Sequence, residues 1–63
     1  MVVYIVTLRN AAGRERVERI VATTAQNASN LGLLRIERET GAPKGEWQVV
    51  SALDEYAQDA LIS

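Results

Sequence analysis

Thr23-Thr24-Ala25-Gln26-Asn27-Ala28-Ser29-Asn30-Leu31-Gly32-Leu33-Leu34-Arg35-Ile36-Glu37-Arg38-Glu39-Thr40-Gly41-Ala42-Pro43 can be read in two ways, and the choice between them sets the number of strands in the sheet. In the first, Thr23 and Gln26 have the spacing of a capping box and open a helix that runs to about Glu39. That helix would bury Ala25, Ala28, Leu31, Gly32 and Ile36 and pair Arg35 with Glu39 one turn on. Gly41 then supplies the C-cap, and Pro43 stands just beyond as a stop. In the second, Asn30 and Gly32 end a short helix, and Leu34, Ile36 and Arg38 form one face of a further strand that turns back through Gly41–Gly45. A glycine inside the helix costs about 1 kcal/mol relative to alanine, and Leu33 and Leu34 cannot share one stripe. The start and stop signals favour the long helix, and the sheet then has three strands rather than four.

Upstream, Val2-Val3-Tyr4-Ile5-Val6-Thr7-Leu8 is β-branched and aromatic, with apolar residues at both parities. This is the pattern of a strand covered on both sides or lying at the sheet centre. Asn10-Ala11-Ala12-Gly13 is a turn, and Arg14–Thr23 resumes with charged residues around Val17, Ile20, Val21 and Ala22, which predicts a hairpin. Downstream, Trp47–Ala52 reads as the third strand. Residues Asp54–Ile62 read as a short terminal helix capped through the Ser51–Asp54 spacing, with Tyr56, Ala57, Ala60 and Leu61 inward. The expectation is a single α+β domain over residues 1–63. It has a small antiparallel sheet with one helix on one face, in ββαβ order, and the crossover places the third strand beside a central first strand.

The 63 residues contain no histidine and no cysteine. The general base, thiolate nucleophile and zinc ligands commonest near neutral pH are therefore missing together. No spacing of serine, lysine, tyrosine or carboxylates forms a catalytic, cofactor-binding or metal-ligating set. The Gly41–Glu46 loop lacks phosphate-loop spacing, and Asp54, Glu55 and Asp59 suit a solvated helix face. The reading is of a non-catalytic protein without a cofactor. With 48% hydrophobic and 24% charged residues and no apolar run of bilayer length, a folded cytoplasmic domain without a membrane partner is expected.

Charge is unevenly distributed. Residues 1–38 carry six arginines against three glutamates, a net +3, whereas residues 39–63 carry one lysine against five acids, a net −4. Arg9, Arg14, Arg16 and Arg19 on the hairpin form a candidate phosphate-contacting patch. Glu15 and Glu18 interleave with them and can consume that charge in cross-strand pairs. Aromatic residues for base stacking are few. Trp47, following Lys44 and Glu46 in the loop, is either a partner anchor or the largest core side chain. The acidic end of the chain also complements the arginine-rich hairpin of a second copy, so a homodimer is one candidate assembly.

The Tyr4-Ile5-Val6 strand, the Arg14-Glu15-Arg16 turn exit and the Val21-Ala22-Thr23 lead into an alanine-containing helix form an ordered series. With Arg35-Ile36-Glu37 and the Gly45-Glu46-Trp47 lead into the last strand, it resembles small phage-encoded accessory proteins. Among these the chain is most similar to compact α+β anti-CRISPR inhibitors of type I surveillance complexes. The resemblance implies a protein with no catalytic site that occupies the surface of a bacterial nucleoprotein complex. It further implies that Glu15, Glu18, Glu37, Glu39 and Glu46 meet DNA-binding lysines and arginines of the target. Arg14 and Arg16 would then reach acidic residues or nucleic acid. A small nucleic-acid-binding regulator using the arginine hairpin is the alternative.

Overall fold

A computed structural model describes residues 1–56 of the chain. The elements run in the order β1 (Val2–Asn10), β2 (Glu15–Ala22), α1 (Ala25–Thr40) and β3 (Trp47–Asp54). They form a three-stranded sheet of order β2-β1-β3, with β1 antiparallel to both neighbours. β1 thus holds the central position, one of the two placements its apolar run suggested. Strands β2 and β3 run parallel to each other on either side of it, and α1 is the crossover between them.

The contested stretch is helical throughout. Thr24, rather than Thr23, is the N-cap: its backbone is extended and its hydroxyl accepts from Asn27 N at 3.1 Å. Thr23 accepts instead from the Asn27 side chain at 3.1 Å, and Gln26 turns to Asn30. The cap lies one residue later than the box spacing implied because the strand runs to Ala22, Thr23 forms a bend, and the helical backbone begins only at Ala25 after the extended Thr24. Gly41 closes the helix in the left-handed conformation, φ 68°, its N–H donating to Glu37 O at 2.9 Å. An L side chain is strained there, so the glycine that stops the helix is also its C-cap.

The helix meets the sheet along Ala28, Gly32 and Ile36, a row spaced by four. Ala25 and Leu31, expected inside, are exposed, and Leu33 packs half-buried against the core. The narrow row explains the difference. A Cβ on Gly32 would stand 3.2 Å from Val6 Cγ1, so the absent side chain lets the backbone of α1 settle onto β1. The core comprises Val6, Leu8, Ile20, Ala22, Ala28, Ile36 and Trp47, flanked by Tyr4, Val49 and Ala52.

One irregularity sets the faces of β3. Thr7 pairs with Ser51 and Leu8 with Val49, so Val50 is an extra residue, a β-bulge. It puts odd-numbered Trp47 and Val49 and even-numbered Ala52 on the same side, under the helix. Strand β3 also runs to Asp54, two residues past the expected end. Asp54, not Ser51, caps the turn after the strand, its carboxylate accepting from Tyr56 N at 2.8 Å. Tyr56 is exposed rather than inward. The remainder of the expected terminal helix, including Ala57, Ala60 and Leu61, lies outside the described residues.

Candidate functional site

The sheet pleat divides the hairpin charges. Cross-strand partners share a face, so Arg9, opposite Glu15, and Arg19, opposite Ile5, lie on the face away from α1, whereas Arg16, opposite the buried Leu8, lies on the helix side. The turn between them is fixed by Asn10, which accepts from Gly13 N through its carbonyl and from Arg14 N through Oδ1 at 2.8 Å.

Most of these arginines are occupied. Arg9 donates to Glu15 through both Nε and Nη2. Arg16 Nη2 reaches Glu18 at 3.3 Å and Glu39 at 3.1 Å. Arg19 spans the sheet to hold both oxygens of Glu55, at 3.1 and 2.9 Å. Such exposed pairs contribute less than about 1 kcal/mol each, but they neutralise the positive potential of the hairpin. Glu39 is thereby committed to Arg16, and the expected Arg35–Glu39 pair is replaced by a contact between helix and strand. Among the described residues, the side chains of Arg14, Arg35, Arg38 and Lys44 have no carboxylate partner.

Of the residues singled out in the sequence, Arg14, Arg16, Glu46 and Trp47 converge on one groove between the hairpin turn and the loop after α1. Trp47 is 6% exposed and belongs to the core. Glu37 is half-buried on α1, and its Oε2 has no hydrogen-bond partner among the described residues. Arg9 and Glu46 line a second groove with Gln48 and Val49 at the β1–β3 end. No three side chains among the described residues form a metal-binding cluster, and no described helix is long and apolar enough to cross a membrane.

The largest feature that the linear pattern did not reveal is the bare face of the sheet. Val3, Ile5 and Thr7 of β1, Val17 and Val21 of β2, and Leu53 of β3 share the side opposite α1, and no described element packs on it. Val17 is 60% exposed, Val21 56% and Leu53 44%. The signal was present in the apolar residues at both parities of β1, which in a three-layer protein would face two covering layers. Leu31, Leu34, Arg35 and Arg38 gather on the outer flank of α1. Their i, i+3, i+4, i+7 spacing places all four on one helix face, a signal legible only once residues 32–40 are taken as helical. The chain matches no family model, no curated protein and no solved structure.

Proposed function

We propose that this domain is a non-catalytic protein-binding module that docks through the bare face of its sheet. The observation that carries this reading is the apolar surface around Val17, Val21 and Leu53, which no described element covers and which is bordered by the Arg9–Glu15 and Arg19–Glu55 pairs. An apolar centre with a charged, self-neutralised rim is the anatomy of a protein interface, and it gives little hold on a phosphate backbone. The partner class is the one implied by the resemblance: a bacterial nucleoprotein complex of the type I surveillance kind. A phage-encoded inhibitor acting in the host cytoplasm would cover the nucleic-acid-binding surface of such a complex.

The test is capture by the tagged protein from nuclease-treated bacterial extract, repeated with the charge-neutral double variant Val17→Lys/Leu53→Glu. Both side chains already face solvent, so the variant should melt as the parent does by circular dichroism. A defined complex recovered by the parent and lost by the variant is expected. Equal recovery by both, or recovery only when nucleic acid is left intact, defeats the reading. Binding of target DNA by purified type I surveillance complexes, with and without the protein, then tests the narrower assignment.

A further inference from the structure

We infer a second binding site that adjoins the bare sheet face at Arg19 and Val21: the groove between α1 and the outer edge of β2, which takes an extended acidic peptide segment of a partner. This inference rests on the protein-binding reading and names the chemistry of a second contact. The groove, of about 400 Å³, is lined by Arg19, Val21, Leu31, Leu34, Arg35 and Arg38. It contains three arginines and no carboxylate, in a chain whose net charge is −1. Arg19 is held by Glu55, but Arg35 and Arg38 have no anionic partner among the described residues.

Two further features define the occupant. Among the described residues β2 is an edge strand, paired to β1 on one side only, so its other side presents backbone donors and acceptors that an incoming strand can pair. Above that edge, Leu31 and Leu34 stand exposed on the helix, at spacing three on one flank. A peptide added to β2 would turn every second side chain to the helix side, toward Leu31, Leu34, Arg35 and Arg38. Its carboxylates would meet the guanidinium groups of Arg35 and Arg38, which suit bidentate pairing. Nucleic acid would also meet the arginines, but no groove-lining residue is aromatic, and the apolar walls offer nothing to a sugar-phosphate chain.

The probe is a short fluorescent peptide with threonine at every second position and valine and glutamate taking turns at the positions between, so that both share one face, titrated with the full chain and read by anisotropy. A valine–lysine peptide and an oligothymidine serve as comparators. Saturable binding of the acidic peptide alone is expected, with amide shifts confined to β2 and the Leu31–Arg38 flank of α1. Arg35→Ala and Arg38→Ala, both favourable helix substitutions, should each weaken it about tenfold without changing the melt. Peptide binding unaffected by either substitution overturns the site, as does preferential binding of oligothymidine. Absence of peptide binding while the extract partner is still captured overturns the groove alone. Loss of that capture with arginine-dependent peptide binding intact supports the groove and removes only the sheet-face reading.

Discussion

Gly32 is the residue on which the two layers meet. As a helix-interior glycine it forgoes about 1 kcal/mol of propensity, yet a β-carbon there would press on the fully buried Val6. Substituting Gly32→Ala alone should therefore leave stability within about 1 kcal/mol of the parent, the propensity gain offset by overpacking. Val6→Ala alone should cost about 2 kcal/mol through the lost methyl groups and the space they leave. Combined, the two should recover part of that loss, giving a favourable coupling above about 0.5 kcal/mol in urea denaturation. Additive effects would mean that the approach of α1 is limited elsewhere. The sequence showed Gly32 as a position on the inner stripe and as a penalty. Its close contact with Val6 depends on how far the helix descends, which no local pattern encodes.

Among the elements, β3 draws the clearest consequence from its bulge. Because Thr7 already pairs with Ser51 and Leu8 with Val49, removing one of the two adjacent valines would leave a regular ladder and keep the other residues on their present sides. That single deletion should retain the fold at a cost of no more than about 2 kcal/mol, with a less twisted strand. Deleting both Val49 and Val50 should be far worse, since Gln48 then falls opposite Leu8 and Trp47 moves from the buried face to the exposed one. Thermal melts and tryptophan emission would separate the two: a blue-shifted Trp47 is expected in the first and a red-shifted one in the second. Strand existence was legible from Trp47-Gln48-Val49-Val50, but a strict alternation would have put Leu53 beside Trp47 and Ala52 outside. Pairing with β1 reverses that assignment.

For the molecule as a whole, stability rests on a core that comprises seven buried hydrophobic side chains among the described residues. A domain of this size seldom retains more than about 3–5 kcal/mol. Truncating the fully buried Ile36 to alanine should cost about 3–4 kcal/mol and leave a substantial unfolded population at 25 °C in circular dichroism. Arg9→Ala, which removes an exposed pair with Glu15, should shift the transition by less than about 1 kcal/mol. An equal loss from both would show that the ion pairs carry weight beyond their exposure. Local preference, periodicity and the sign of neighbouring residues were enough to set the ββαβ order, the central place of β1, the helix stop at Gly41 and the interleaving of hairpin charges. Packing alone settled, among the described residues, which charges pair, which face no element covers, that Trp47 lies inside and that Arg35 and Arg38 have no carboxylate partner beside the outer edge of β2. These outcomes depend on the pleat, the bulge and the seating of α1, which join residues far apart in the chain.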